Sequence, residues 1–112
     1  MNIQIYGRNK CFDTRKVERY FKERKIKSQR IDLERCGLSK RELESVINAV
    51  GLNHLIDTHC AEYHHLNLQL IHSHEIKEEL LLNHPKLYIS PIVRNGKQAT
   101  VGYKPEIWKD WE

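Results

Sequence analysis

Apolar side chains come early and close together in this chain: Ile3, Ile5 and Tyr6 fall within residues 2–6 and predict a short strand ending at Gly7. The period then lengthens. Val17, Tyr20 and Phe21 recur at helical spacing with charges between them, so residues 12–24 are expected to form an amphipathic helix with a solvated polar face. Ile26, Ile31 and Leu33 follow in a segment of strand length, residues 26–33. Strand, helix and strand in this order make a β-α-β unit, whose crossover pairs the two strands in parallel and packs the helix on one sheet face.

After Asp32 the pattern turns helical. Ser39 with Glu42 three residues on has the form of a capping box, and Leu43, Val46 and Ile47 supply the stripe of a helix that Val50 and Gly51 close. Residues 52–56 read as a further helical turn, and residues 59–70, which keep no clean period, as irregular. Ser73 is placed to cap another helix carrying Ile76, Leu80 and Leu81 as far as Asn83, with Pro85 as its stop signal. The last third returns to strands. Residues 87–93 and 98–103 flank Asn95-Gly96, the mark of a type I′ hairpin, and Pro105 opens a final helix through Trp108 to Trp111. The order is β-α-β, a helical insert over about residues 36–84, then β-β-α, in an α/β chain expected to form a single domain over residues 1–112.

Composition narrows the setting. A charged fraction of 30% and a hydrophobic fraction of 39% fit an ordinary globular protein, and no apolar run approaches the ~20 residues of a membrane span. The first residues enter a strand at once and lack a signal-peptide pattern, so a cytoplasmic location is expected. The three cysteines, Cys11, Cys36 and Cys60, are an odd number without metal-type spacing, which suits a reducing compartment. The net charge of +4 is mild and its bases are interleaved with acids, which argues against direct nucleic-acid binding and leaves an acidic protein surface or an anionic small ligand as partner.

The chemistry gathers at Cys11. It stands where the first strand hands over to the first helix, so unpaired N–H groups and the positive end of the helix dipole favour thiolate over thiol. Arg8, Lys10 and Arg15 lie within four residues of it and push the same way. The position equally suits a half-buried cysteine filling the start of a helix. Seven histidines raise a metal reading, centred on His59, Cys60, His64 and His65 with His72 and His74 nearby. Their spacings match no finger pattern and adjacent His64 and His65 cannot readily turn to one site, so no metal is expected and the histidines read as solvent-exposed. Cys36 is expected to be inert, and Trp108 and Trp111 to serve packing.

Several stretches, in order, carry a resemblance: Ile5-Tyr6-Gly7, Cys11-Phe12-Asp13-Thr14-Arg15-Lys16, Ile31-Asp32-Leu33, Leu38-Ser39-Lys40-Arg41-Glu42-Leu43, Leu55-Ile56-Asp57-Thr58, Asn83-His84-Pro85-Lys86-Leu87, Ser90-Pro91-Ile92-Val93 and Val101-Gly102-Tyr103-Lys104-Pro105-Glu106. Together they resemble the arsenate reductase (ArsC) and Spx branch of the thioredoxin-like superfamily, over nearly the whole chain. The resemblance implies a mixed four-stranded sheet of thioredoxin-like fold with the helical insert between its halves, and a cis Ser90–Pro91 bond facing Cys11. Two departures stand out. Thr14 occupies the second thiol position of a Cys-X-X-Cys pair. The oxyanion-holding arginines expected after Thr58, before the cis proline and before Pro105 are His59, Ser90 and Lys104, with Arg15 alone retained. Arg forks suit a tetrahedral oxyanion better than Ser or a lone Lys, so arsenate reduction is not expected.

What the resemblance leaves is thiol redox chemistry on a disulfide or small oxidant. Cys11 would be the nucleophile, Arg15, Arg8 and the helix end would stabilise its thiolate, and Thr14 would hydrogen-bond the sulfur. Pro91, Lys104, His59 and Cys60 would line the site, with Cys60 on the insert as a resolving thiol helped by His59. No bound cofactor is implied; glutathione, glutaredoxin or another protein thiol would act as reductant. The alternative is an Spx-like regulator that binds the C-terminal domain of the RNA polymerase α-subunit, with Gly51 at the contact.

Overall fold

The computed structural model describes residues 1–111. Its elements are β1 (Ile3–Gly7), α1 (Phe12–Glu23), β2 (Ser28–Asp32), α2 (Leu33–Cys36), α3 (Lys40–Val50), α4 (Ala61–His65), α5 (His74–Asn83), β3 (Ile92–Asn95), β4 (Gln98–Val101) and α6 (Pro105–Trp108). Short 3-10 turns fill Leu52–Leu55, Leu68–Leu70, Pro85–Leu87 and Lys109–Trp111. The strands form one mixed sheet in the order β2-β1-β3-β4. β1 and β2 run parallel with Ile5 opposite Arg30, and β3 is antiparallel to both β1 and β4.

Alternation along the strands divides the core in two. Ile3, Ile5 and Val93 face α1 and α6, where they pack with Val17, Tyr20, Phe21 and Trp108. Trp108 meets Tyr20 and Phe21 at 5.1 and 5.2 Å between ring centroids, and its Nε1–H donates to Thr100 Oγ1 at 2.8 Å, so two buried polar groups satisfy each other. Tyr6 and Ile92 face the other way, into a larger cluster with Leu33, Leu43, Val46, Leu55, Leu81 and Leu87. That second cluster seats the insert on the sheet.

Polar contacts fix α3 to the same face. The expected capping box is present: Ser39 Oγ accepts from the Glu42 N–H at 3.2 Å, and the Ser39 N–H donates to Glu42 Oε1 at 2.8 Å. The other carboxylate oxygen of Glu42 accepts from the Tyr6 hydroxyl and lies 3.5 Å from Arg94 Nη1. Arg94 in turn reaches Gln4 Oε1 at 3.0 Å and the Tyr6 hydroxyl oxygen at 3.1 Å. One residue thus closes the cap of α3 and ties it to β1 and β3.

Four expectations need correcting. The second strand stops at Asp32 because its carboxylate accepts from the Arg35 N–H at 3.4 Å and caps α2, which draws Leu33 into a helix. The third strand starts at Ile92, since Pro91 has no N–H to give a ladder. The chain before it pairs with the insert instead: the Ile89 N–H donates to the Leu55 carbonyl and the Asp57 N–H to the Leu87 carbonyl, each at 2.8 Å. In the hairpin Asn95 pairs with Gln98, so Gly96 and Lys97 form the loop. Gly96 has φ +61° and Lys97 has no positive φ, the signs of a type II′ turn rather than I′. Residues 59–70, finally, hold α4 and a 3-10 turn, with Asn67 at φ +52° between them.

Candidate active site

Cys11 is the N-cap residue of α1, with extended backbone (φ −85°, ψ 121°), and its carbonyl accepts from the Arg15 N–H at 3.3 Å. Its thiol is half-buried. Lys10, just before it, takes φ +64° to turn the chain out of β1 and into the helix. Gly7 has a different task. A Cβ there would lie 2.5 Å from both Oγ1 and Cγ2 of Thr14, so only glycine lets the first turn of α1 close onto the end of β1.

Across the sheet, Ser90 completes the site. The Arg8 N–H donates to Ser90 Oγ at 3.0 Å, which leaves the hydroxyl proton free to be given to Cys11 Sγ at 3.5 Å. Thr14 Oγ1 lies 3.2 Å from Ser90 Oγ. Burial pushes the Cys11 thiol up, but the hydrogen bonds from Ser90 and from the Thr14 side chain, with the N–H groups of Thr14 and Asp13 at the helix end, outweigh it. The net effect is a thiol more acidic than an ordinary cysteine. Ser90–Pro91 is cis and Pro91 is buried.

The cations are distributed differently from expectation. Arg8 lines both clefts at the thiol but commits its guanidinium elsewhere, with Nη2 donating to the Lys86 and Tyr88 carbonyls at 2.6 and 2.7 Å and Nε 3.3 Å from Glu34 Oε1. The Nε contact lacks hydrogen-bond alignment, so charge rather than a bond joins the pair. Arg8 therefore braces the loop that carries Ser90. Arg15 is exposed and, among the described residues, makes no ion pair. It lines a cleft of about 340 Å³ beside Cys11 with Lys10, Thr14 and Arg30.

A second cleft, of about 450 Å³, opens on the insert side of the same thiol between Arg8, Asn9, Lys10, Asp57, Ile89 and Ser90. Lys104, the N-cap residue of α6, lines neither cleft. His59 is exposed, with its N–H on Asp57 Oδ1 at 2.9 Å, and also lies outside both. Cys60 caps α4, donates its thiol to the Asp57 carbonyl at 3.2 Å and opens into a separate cleft with Glu34, Glu62, His65 and Lys86. That cleft shares only Arg8 with the one at Cys11. All three thiols are free. Two histidines meet one carboxylate, His84 Nδ1 at 3.1 Å and His65 Nδ1 at 3.9 Å from Glu62, and among the described residues no three His, Cys, Asp or Glu side chains are grouped so as to hold a metal ion.

Sequence reasoning missed two contributors. Ser90 counted as the loss of an arginine, whereas it is the hydroxyl that faces the sulfur. Asp57 enters the sequence reading only within the Leu55–Thr58 stretch and with no role of its own, because its place at the cleft depends on the strand-like pairing of residues 55–57 with residues 87–89.

A β-α-β half and a β-β-α half, a helical insert between them and a cysteine at the first helix N-terminus opposite a cis proline define a thioredoxin-like protein. The ArsC family model matches residues 6–111, and the chain belongs to the ArsC family. It is 33% identical to the global transcriptional regulator Spx 2 of Oceanobacillus iheyensis, over 92% of this chain and 78% of that one. It is 27% identical to the regulatory protein MgsR of Bacillus subtilis, over 92% of this chain and 84% of the relative. Among solved structures, an arsenate reductase from Vibrio cholerae superimposes with a TM-score of 0.85 at 28% identity, covering 98% of this chain and 97% of the other.

Proposed function

We propose that the protein carries out thiol-disulfide chemistry through Cys11. The thiolate attacks one sulfur of a disulfide R–S–S–R′, forming a Cys11–S–S–R bond and releasing R′–S⁻. An outside thiolate, from glutathione, glutaredoxin or another protein thiol, then attacks the R sulfur and returns Cys11 as thiolate. With a peroxide, the Cys11 thiolate attacks one oxygen, the O–O bond breaks and hydroxide or alkoxide leaves, giving a sulfenic acid. One outside thiol condenses with it to a mixed disulfide with release of water, and a second outside thiolate breaks that disulfide and returns Cys11. The observation that carries this reading is the Ser90 hydroxyl on Cys11 Sγ, in a site whose hydrogen bonds outweigh burial and hold the thiol below its ordinary pKa.

The absent partner supports the outside thiol. Thr14 fills the position of a local resolving cysteine and is 1% exposed, packed against Gly7. Arsenate is excluded from the proposal because, among the described residues lining the clefts at Cys11, Arg8 and Arg30 are already engaged and a tetrahedral oxyanion would find Arg15 as the one unengaged guanidinium. The experiment incubates the protein with oxidised glutathione and follows the Cys11 adduct by mass spectrometry, then its release by reduced glutathione or glutaredoxin. Cys11→Ser abolishes the adduct on this reading, and arsenate-dependent thiol oxidation stays at background. Robust arsenate turnover dependent on Cys11 would overturn the argument from the arginines.

A second reading has its own support in the two relatives named as regulators. On it, the end of α3, where Gly51 turns the chain at φ +91°, contacts the C-terminal domain of the RNA polymerase α-subunit, and Cys11 sets the redox state of the regulator. Co-purification with that domain, lost in a Gly51→Arg variant that keeps Cys11 reactivity, would favour it.

A further inference from the structure

Phe12 is 75% exposed although it is the residue immediately after Cys11, and Tyr103 is 40% exposed at the turn that leads into α6. The two rings belong to one patch. Lys16 Nζ lies 5.6 Å from the Phe12 ring centroid and 5.8 Å from that of Tyr103, so one ammonium joins them. Tyr103 is braced from below by buried Trp108, edge to face at 5.6 Å. Neither ring lines a cleft at Cys11, so a small disulfide seated in either cleft would touch neither. A polypeptide laid across the thiol would cover both.

We propose that Phe12 and Tyr103 form a docking seat beside Cys11 for a protein disulfide whose reacting cysteine has apolar neighbours and acidic flanks. The inference rests on Cys11 as the nucleophile and names the class of its partner. Burial of exposed aromatic surface supplies the attraction, and the ring-bound cation sets the sign of the flanks. In the segments that carry the rings, Lys10, Arg15, Lys16 and Lys104 outnumber Asp13 and Glu106. The step itself is ordinary exchange: a bond forms between Cys11 Sγ and the partner's sulfur, the partner's S–S bond breaks, and its other sulfur leaves as thiolate.

The test uses two synthetic peptides, Asp-Leu-Cys-Leu-Asp and Asp-Ser-Cys-Ser-Asp, each held as a mixed disulfide with thionitrobenzoate. Attack by Cys11 releases the coloured thionitrobenzoate anion, and peptide mapping assigns the adduct. The apolar peptide is expected to react about tenfold faster than the polar one of equal charge, a gap of about 1.4 kcal/mol in the transition state. Phe12→Ser should bring that ratio near one, and Phe12→Leu should keep most of it. Tyr103→Ser, far along the chain from the α1 N-terminus, should also lower it, which a mere effect on thiol acidity would not do. A ratio of one in the wild type, or a ratio untouched by Phe12→Ser and Tyr103→Ser, overturns the docking seat while leaving Cys11 chemistry intact. Failure of Cys11 to react with either peptide overturns both.

Discussion

Ser90 Oγ donates to Cys11 Sγ at 3.5 Å, joining residues 79 positions apart in the chain. The donor is oriented because the Arg8 N–H already occupies a lone pair of the same oxygen. A hydroxyl so held favours thiolate at the moment the sulfur must be nucleophilic. Ser90→Ala is therefore expected to raise the midpoint of Cys11 alkylation by iodoacetamide and to slow the reaction at neutral pH by about three- to tenfold. An unchanged midpoint would mean that the helix end alone acidifies the thiol.

The same acidity has a stability sign. Cys11 loses its proton at lower pH folded than unfolded, so between the two values the unfolded chain binds more protons and stability rises with pH. The gain is complete above the ~8.5 of a free thiol and is lost as pH falls through the folded value. Urea titrations across that window should show the rise in wild type and its absence in Cys11→Ala.

Gly7 and Thr14 test the close approach of β1 and α1. Gly7→Ala forces a Cβ to within 2.5 Å of Thr14 and is expected to cost about 1–3 kcal/mol in urea unfolding, while loosening Thr14 from Ser90. Thr14→Ala removes the two atoms at 2.5 Å and leaves only the Cβ of residue 14 at 3.0 Å from the new methyl. The double variant should thus be more stable than the two single losses add up to. Strict additivity would show that Gly7 is required for some other reason.

How far the site was legible follows from these contacts. Cys11 could be read because strand, glycine, cations and helix are adjacent in sequence, and a helix end acidifies a thiol wherever it is built. Ser90 could not, since its role exists only once β3 lies antiparallel to β1 and the chain before Pro91 turns back. Arg8 was read by proximity as a thiolate partner, but its guanidinium found two carbonyls and Glu34 instead. The fold was more legible than the site. Its helices carried caps at Ser39 and Ser73, both formed as expected, whereas residues 87–89 had strand composition but paired with the insert.

Glu42 gives the insert a pH signature. Burial raises its carboxyl, and the Tyr6 hydroxyl, the two Ser39 groups and Arg94 pull it below the ordinary range. Its contribution is present above the usual carboxylate value and lost as pH falls through the depressed folded one. Burial first, and then the bond to Glu42, pushes Tyr6 up to about 12, so its contribution holds below ~10 and is lost as pH climbs toward that value. Glu42→Gln should flatten the acid limb of the stability profile and Tyr6→Phe the alkaline limb. Glu42→Ala, which opens the capping box and removes the carboxylate shared by the Tyr6 hydroxyl and Arg94, should cost about 2–3 kcal/mol.

The identity of the resolving thiol can be decided by oxidation. Cys60 opens into a cleft that meets the Cys11 cleft only at Arg8, and its thiol proton is given to the Asp57 carbonyl. To bridge to Cys11 it must leave that bond and pass a guanidinium held by two carbonyls and a carboxylate, and a disulfide needs Cα atoms within about 7 Å. Position 14 is different. Its side chain shares the Ser90 hydroxyl with Cys11 and sits one helical turn away. Mild peroxide should therefore leave wild-type Cys11 as a sulfenate or an intermolecular disulfide, with Cys60 still free by peptide mapping. Thr14→Cys should convert the sulfenate to a disulfide between positions 11 and 14 with loss of water, shifting the product from intermolecular to internal. A Cys11–Cys60 disulfide as the main wild-type product would instead make Cys60 the resolving thiol and require the Arg8 brace to open.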